Sequence, residues 1–336
     1  MTRQSVSLRR GLGVLLVAAV PAACAAGTAL TPLARAPEPA VSPPLRAAPA
    51  GTVVALGGAP EGVAIDADGV AAVDVRDPDG IALFDLATPT RRRFVPLAGS
   101  ARHLELAGPA GPLLVPLESA DRLAEVALPS GTVIASTPVG RQPHDAAAAN
   151  GAIFVGDELA NTVHIVRPDG TTHVVAGPLQ PGGVAASPDG SVVVVVGVRG
   201  RLLTAYRADG GALGSVRCGA GPTHVVAGSG GLFWVVDTNG GAVLAFRVDG
   251  SGPRQVAHIP VGSRPYGVAF DRRRQVLWVT LTAANRLMGL ELHGTTVVKR
   301  VTYPTVRQPN TVAVDGATGE VLVTGSTSPG ALEFVG

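Results

Sequence analysis

Short apolar runs rich in β-branched residues recur along the chain from residue 51 onward, and turn signals separate them. The runs "LFWVVD" and "SVVVVVGV" are apolar at nearly every position, which is typical of strands buried on both faces. Asp-Gly turns such as "SPDG" and "RPDG" stand between the runs, and these residues tolerate the backbone angles of tight hairpins. Because β-branched residues dominate and turns recur so often, a helical interpretation fails. The pattern predicts an all-β domain.

A glycine-proline phrase that opens each group of strands gives the chain a regular period. Four strands fit within each unit, and the units are about 40 residues long, which is the pattern of propeller blades. We therefore predict a seven-bladed β-propeller of four-stranded blades over residues 51–336. The aligned positions are Pro60, Ala101, Pro143, Pro181, Pro222, Pro265 and Pro309.

The ring is expected to close through its two ends. The last unit, from Pro309, supplies three strands, whereas "GTVVALGG" at residue 51 has the pattern of a fourth. We predict that this N-terminal strand completes the last blade, because pairing there removes the exposed edges that an open array would leave.

The first residues predict export. Arg9 and Arg10 precede an apolar run, Leu12 to Val20, that is too short to span a bilayer and fits a signal peptide over residues 1–23. The phrase "VPAAC" resembles the lipobox of bacterial lipoproteins, which implies a lipid on Cys24; cleavage at an Ala-x-Ala site is the alternative. "SLRRGLG" resembles a twin-arginine signal. Residues 24–50 are rich in proline and alanine and predict a tether that holds a secreted or lipid-anchored domain at the outer face of the cell membrane.

Composition narrows the choice of partners. Only 15% of residues are charged and the net charge is +2, so no strong field attracts nucleic acid, and the membrane is a partner only through the lipid anchor. We expect a monomer. We also expect no disulfide, since Cys218 lies where other units carry valine and is predicted to be a buried apolar side chain.

Two repeat families are similar to this chain. "GDELANTVHIVRPDG" and "LWVTLTAANRLMGLEL" resemble the YVTN repeat, in which a strand ends in a polar residue and an Asn-x-Val turn starts the next. "APEGVAIDADG" and "RPYGVAFD" resemble the related NHL repeat. The resemblance covers the whole domain and implies the propeller fold, but its motifs are structural and assign no activity.

The residues just after each aligned position are expected to ring the central channel on one face of the propeller. Three of them are histidines in nearly equivalent places, and converging imidazole and carboxylate groups suit zinc or a similar divalent ion such as calcium. The alternative is that polar side chains line a wet channel mouth and bind water. The set comprises Glu61, His103, His144, Asp145, Thr223, His224, Tyr266 and Asn310.

Two further groups repeat with the blades. Asp74, Asp157 and Asp237 end the second strand of their units, where an aspartate accepts hydrogen bonds from loop amides or contacts a ligand. Arginines flank the aligned positions and either form a positive rim for carboxylates and phosphates or are solvated loop charges. These arginines are Arg102, Arg141, Arg264 and Arg307.

Two hypotheses about function follow. Because the sequence has no nucleophile elbow, P-loop or dinucleotide fingerprint, the first is a binding module that does no chemistry. Its loop face would bind a cell-envelope protein, a glycan or a small anionic ligand. The alternative is a metal-dependent hydrolase or lyase with His103, His144 and His224 as ligands and Glu61 as ligand or general base. The NHL resemblance supports this alternative, since certain NHL-like propellers hold a metal with channel histidines. Gluconolactonase-type propellers hold one with Glu, Asn and Asp, and of their motifs this sequence shows only Glu61.

Overall fold

Strands account for most of the propeller region in the computed structural model, which describes residues 1–2, 30–89 and 91–336. Within the compact unit Thr31–Gly336, the described strands form seven four-stranded antiparallel sheets. The predicted all-β, seven-bladed fold is confirmed. Cys24 and nearly all of the predicted signal peptide lie outside the described residues.

Each blade is a meander of four strands, numbered here in chain order, and the first strand of each meander lies innermost. Blade one contains β2 to β5, at Val63–Ile65, Val70–Val75, Gly80–Asp85 and Arg92–Pro96. Blade two contains β6 to β9, at Glu105–Leu106, Leu113–Leu117, Arg122–Ala127 and Thr132–Pro138. Blade three contains β10 to β13, at Pro143–Ala149, Ala152–Asp157, Thr162–Val166 and Thr172–Ala176. Blade four contains β14 to β17, at Pro181–Ala186, Val192–Gly197, Leu202–Arg207 and Ala212–Arg217.

The remaining blades follow the same plan. Blade five contains β18 to β21, at Pro222–Ala227, Leu232–Asp237, Ala242–Asp249 and Gly252–Pro260. Blade six contains β22 to β25, at Pro265–Asp271, Val276–Leu281, Arg286–His293 and Thr296–Pro304, with a 3-10 turn at Thr282–Ala284. Blade seven contains β26 to β28, at Pro309–Val314, Val321–Gly325 and Gly330–Val335, and β1, at Thr52–Leu56. No helix among the described residues is long and apolar enough to cross a membrane.

Blade seven combines the two ends of the propeller region. Its outermost strand, β1, pairs antiparallel with β28 from Thr52 opposite Phe334 to Leu56 opposite Gly330. Glu333 ties the same corner together, because its carboxylate accepts hydrogen bonds from the Gly51 amide, the Val306 amide and the Thr305 hydroxyl. The predicted closure of the ring by the N-terminal strand is confirmed.

Apolar side chains between neighbouring blades form the core. The second strand of blade four, β15, is buried at every position after the first, whereas its outer strand, β17, is largely exposed. Val194 and Val196 of blade four pack in one cluster with Phe233 and Phe246 of blade five, and Cys218 lies buried among them. Burial of a side chain of this kind contributes about 1.5–3 kcal/mol, so the stacking of blades stabilises the ring.

The innermost strands position the channel residues. In blades three to seven the aligned proline is the first residue of the innermost strand, and the strand register then shifts in a bulge just after it. A bulge changes the direction in which the next side chains point. The residues directly after the proline therefore lie at the mouth of the channel, on the face formed by the loops that enter the innermost strands. That surface is called the loop face below.

Residues 31–50 lie across the loop face. The sequence predicted a spacer here, but Leu33 pairs with Arg199 of blade four and Ser42 bonds to Gln308 before blade seven. Because its prolines lack amide protons, the segment forms no strand, yet its remaining amides and carbonyls bind the loops beneath. This part of the predicted tether therefore packs on the propeller.

Candidate functional site

Three histidines from three blades meet at the mouth of the channel. The ring of His103 lies 4.8 Å from that of His144 and 4.6 Å from that of His224, measured between centroids. One nitrogen from each histidine lies within 4.8 Å of the others. The sequence placed these residues at nearly equivalent positions. The bulged innermost strands of blades three and five carry His144 and His224, and the loop before β6 carries His103 to them.

The second ring nitrogen of two of these histidines already has a partner. Nδ1 of His144 lies 3.3 Å from a carboxylate oxygen of Glu158, and Nδ1 of His224 donates to the backbone carbonyl of Tyr266 at 2.8 Å. The Tyr266 ring also packs edge-on against His224, with centroids 4.4 Å apart. These contacts fix the tautomer and the ring orientation, and they leave Nε2 of both histidines free to bind.

Burial keeps two of the imidazoles, those of His103 and His224, neutral. It lowers the pKa of His103 well below its usual value, and the adjacent His224 and His144 lower it further. Burial lowers the pKa of His224 to about 3, against the opposing effect of its bond to the Tyr266 carbonyl. At neutral pH both rings therefore present unprotonated nitrogens, the form that binds a metal ion or accepts a proton.

Carboxylates and their partners form a belt beside the histidines. Glu118 accepts hydrogen bonds from Arg76, Arg102 and Gln142, at 2.7–3.3 Å. Glu61 lies 3.7 Å from Nε of Arg102. Burial alone would lower the pKa of Arg102, but the carboxylates of Glu61 and Glu118 outweigh it and raise that pKa. The guanidinium is thus neutralised by two internal partners.

The belt continues to His144 through Glu158. Gln142 donates to one oxygen of Glu158 at 3.0 Å, and Gln180 donates to the other at 2.6 Å. Burial alone would raise the pKa of Glu158, but the hydrogen bond and charge of His144, the bond from Gln180 and the charge of Arg102 lower it to about 2. Glu158 is therefore an ionised acceptor that orients the His144 ring.

Other residues predicted at the channel have structural partners. The two oxygens of Asp145 accept from the amides of Ala146 and Val184, each at 2.8 Å. Burial raises the pKa of Asp145 to about 6. Asn310 is buried, and its carbonyl accepts from Thr280. The hydroxyl of Thr223 bonds to that of Thr238. None of these groups completes the histidine cluster.

The aspartates that end second strands accept bonds from loops. Asp237 accepts from the amides of Ala220, Gly221 and Gly240, at 2.7–3.0 Å. Asp157 accepts from the Gly140 amide and from Thr162. One oxygen of Asp74 accepts from the Glu61 amide, and burial raises the pKa of Asp74 well above its usual value. These bonds favour the structural interpretation, and a ligand contact by these aspartates stays a prediction.

The predicted arginine rim is partly engaged by protein acceptors. Arg141 donates to the Leu159 carbonyl at 2.9 Å. Arg264 donates to Asn239 and to the backbone carbonyl of Glu38. Arg307 is exposed. Together with the neutralised Arg102, this arrangement leaves less free positive charge at the loop face than the sequence predicted.

Sequence reasoning missed Glu158, Gln142, Gln180 and the covering segment. Two signals were present: glutamine precedes the aligned proline in "RQPH" and "LQPG", and Glu118 and Glu158 each directly follow a second strand. Gln142 bonds to Glu118, and Gln180 bonds to Glu158, between neighbouring blades, so no spacing along one blade reveals these pairs.

A small cavity lies beside the cluster. His144 and His224 form part of its walls, and Pro37 of the covering segment is buried against it. Gly182 of blade four, which follows the aligned proline of that blade, also lines the cavity. A Cβ atom on Gly182 would lie 2.6 Å from the Val198 side chain, so glycine keeps this space open. The cavity volume of about 20 Å³ suits one water molecule or one ion.

The cluster has the chemistry of a divalent-metal site. Nitrogen atoms bound to a tetrahedral zinc ion lie roughly 3.4 Å apart, so these histidines need to approach one another by about an ångström to share one ion. Three neutral nitrogen ligands leave one coordination position for water or substrate, as in catalytic zinc sites. Without a metal, the same cluster offers neutral imidazoles as proton acceptors.

Comparisons with known proteins locate the fold. No protein-family model matches the sequence, and no curated protein matches it in sequence. Among solved structures, a streptogramin B lyase is similar with a TM-score of 0.70 at 15% identity, over 84% of this chain and 97% of that chain.

Two further structures cover most of the chain. One is a catalytically inactive virginiamycin B lyase from Staphylococcus aureus bound to quinupristin, with a histidine replaced by alanine. It has a TM-score of 0.69 at 14% identity, over 84% of this chain and 98% of that chain. A chain of the mitotic checkpoint complex has a TM-score of 0.73 at 14% identity, over 87% and 95%. Identities this low establish the propeller fold and nothing finer.

Proposed function

We propose that this chain is a metal-dependent lyase or hydrolase whose site is the histidine cluster at the loop face. One observation carries the proposal: Nδ1 of His144 and of His224 is held by an oxygen acceptor, while three imidazoles converge from separate blades. Ligand histidines in metal proteins show this pattern, because the outer partner orients the ring and raises its basicity.

The residues divide into ligands and groups that position them. His103, His144 and His224 would hold the ion, and Glu158 and the Tyr266 carbonyl orient two of them. A bound divalent ion supplies a Lewis acid that polarises a carbonyl or activates water. Glu61 is the candidate base, and its carboxylate lies 3.7 Å from Nε of Arg102, which itself lines the cavity beside the histidines.

Metal analysis and turnover test this proposal together. Full chain purified without chelator is expected to carry about one equivalent of zinc or a similar ion, and H103A/H224A is expected to carry none. Activity on a panel of lactones, esters and quinupristin, the compound present in the similar virginiamycin B lyase structure, should disappear with chelator and return with metal. Elimination products identify a lyase, and addition of water identifies a hydrolase. Metal-free protein that gains no stability from any divalent ion contradicts the proposal.

A binding module is the second candidate, and the covering segment favours it. Residues 31–50 show that the loop face already holds an extended chain. Propellers in the mitotic checkpoint complex belong to a protein assembly, and this chain shares their fold. On this interpretation the partner is a cell-envelope protein, a glycan or a small anionic ligand. Ligand capture that survives loss of all three histidines would favour it over the enzyme.

We also propose that the protein is exported and held at the membrane by a lipid on Cys24. The support is the sequence of residues 1–24 alone. Mass spectrometry of the mature N-terminus distinguishes a lipidated cysteine from cleavage at an Ala-x-Ala site.

A further inference from the structure

The segment on the loop face is bound mainly through its backbone. Its carbonyl groups accept hydrogen bonds from side chains in three parts of the ring: Arg201 to Thr31, Arg264 to Glu38, and Gln308 to Ala40. Such bonds recognise the backbone of the bound chain and do not depend on its side chains. They are available to any extended peptide with the same spacing of peptide groups.

The backbone amide groups of the segment also donate hydrogen bonds to the loops. The Leu33 amide donates to the Arg199 carbonyl, and the Arg199 side chain donates back to the Leu33 carbonyl. The Ala40 amide donates to the Thr282 hydroxyl at 3.1 Å. The Ser42 amide donates to Gln308 at 2.9 Å. A single side chain of the segment takes part, since the Ser42 hydroxyl donates to the Thr282 carbonyl.

The loops beneath form a groove from blade four to blade seven. Its donors and acceptors stand on loops that enter innermost strands or join second to third strands, at Arg199, Arg264, Thr282 and Gln308. Gln308 contributes both of its polar atoms, one to an amide and one to a carbonyl, as a strand neighbour would. Hydrogen bonding to both the amides and the carbonyls of an extended chain is the chemistry of a peptide-binding groove.

The occupant also covers the histidine cluster. Ala36, Pro37 and Glu38 line the cavity that His144 and His224 border, and Pro37 is buried there. With a cavity volume of about 20 Å³, no ligand larger than water or an ion fits while the segment is in place. Access for a larger substrate therefore requires the segment to leave.

The segment is held weakly enough to exchange. Apart from Pro37 and Ser42 its residues are half-buried or exposed, so few apolar contacts fix it. Segments bound mostly by surface hydrogen bonds open at much lower free energy than the core. The prolines at positions 32, 37, 39, 43 and 44 keep it extended when released, which reduces the entropy lost on binding.

We propose that the loop-face groove from Arg199 to Gln308 is a binding site for an extended peptide, and that residues 31–43 are a self-ligand that a second peptide displaces. Peptide binding is independent of the metal. That the displaced segment opens a metal site, and that the substrate is a peptide, rests on the proposed function.

Titration of a free peptide into a chain whose own segment has been replaced tests the groove. In the full chain, residues 31–43 are replaced by a glycine-serine sequence of equal length, and the synthetic peptide of residues 30–45 is added. Because a tethered segment has an effective concentration on the order of 1 mM, it occupies its groove only if the free peptide binds at about 0.1 mM or tighter. We expect a Kd at or below that value, and at least tenfold weaker apparent binding to the unaltered chain. Absence of saturable binding up to 1 mM overturns the proposal.

Matched variants locate the binding. T282V with Q308A removes three of the bonds to the segment and is expected to weaken the peptide at least tenfold. Q255A, on the exposed outer strand of blade five, is the control and should bind as the parent does. Equal loss in both, or loss in neither, contradicts the assignment of the groove.

Proteolysis of the intact chain provides a measurement that needs no replacement of the segment. Trypsin can cut after Arg35, which is exposed within the segment, but only when the segment opens. T282V/Q308A is expected to be cut at least tenfold faster than the parent, and added peptide should also speed cleavage. If cleavage is equally fast in the parent, the groove does not hold its segment and the proposal fails. A metal-free protein that passes these tests would contradict only the proposed function.

Discussion

Metal binding to the histidine cluster predicts a measurable gain in thermal stability. An ion that binds the folded state stabilises it by about 2.7 kcal/mol at one hundred times its Kd. The folded unit, Thr31–Gly336, contains about 300 residues, which gives an unfolding entropy near 0.6 kcal/mol per kelvin. Dividing this stabilisation by the unfolding entropy gives a rise in Tm of about 4 °C on adding saturating zinc to metal-free protein.

The assay is differential scanning calorimetry of protein freed of metal, with and without zinc. In H103A and in H224A the rise should fall below about 1 °C, because two imidazoles bind zinc far more weakly than three. H258A and H293A are matched controls that should keep the full shift, because His258 is exposed on the fourth strand of blade five and His293 is exposed at the end of the third strand of blade six. An equal shift in all four variants would show that zinc binds elsewhere and would refute the reasoning from the cluster.

Three further changes test the roles assigned to carboxylates. D237A removes three loop bonds and should cost about 3 kcal/mol in urea unfolding while leaving zinc affinity unchanged; weaker zinc binding would argue for a ligand role. E333A leaves buried donors unpaired where β1 closes the ring and should cost about 3 kcal/mol; a loss below 1 kcal/mol would show that this corner does not depend on the carboxylate. Since the pKa of Glu158 is lowered to about 2, its stabilising effect is present above about pH 4.5 and lost as pH falls through 2; E158Q in chelator should thus be less stable than the parent at pH 7 and equal near pH 2, and a constant difference would contradict the role assigned to the Glu158 charge.

The fold was predictable from the sequence because local signals agree with it. In blades three to seven the aligned proline marks the start of the innermost strand, and the apolar runs match the buried second strands. Turn residues and strand periodicity act over a few positions, so the strands can be recognised in the sequence without knowledge of distant contacts.

The site was predictable only in part. Equivalent positions in different blades point at the same axis, so the repeat placed His103, His144 and His224 together. The partner of His144 was missed because Glu158 follows the second strand of the same blade, and only the folded path of that blade brings its carboxylate to the His144 ring. The covering segment was missed for a different reason: it has no periodicity, and its backbone bonds depend on side chains as distant as Gln308.

The closure of blade seven has a consequence for how the molecule forms. The partner residues Thr52 and Phe334 stand at opposite ends of the propeller region. Joining the ends of a flexible chain of this length would cost about 5 kcal/mol in loop entropy, so β1 is expected to dock after the other blades have stacked and curved its partner towards it. Until β28 has been synthesised, β1 has no partner strand and both ends of the array are exposed edges. A ribosome-bound chain at that stage is therefore an open arc that can pair with a second chain, and only the pairing of β1 with β28 converts it into a ring.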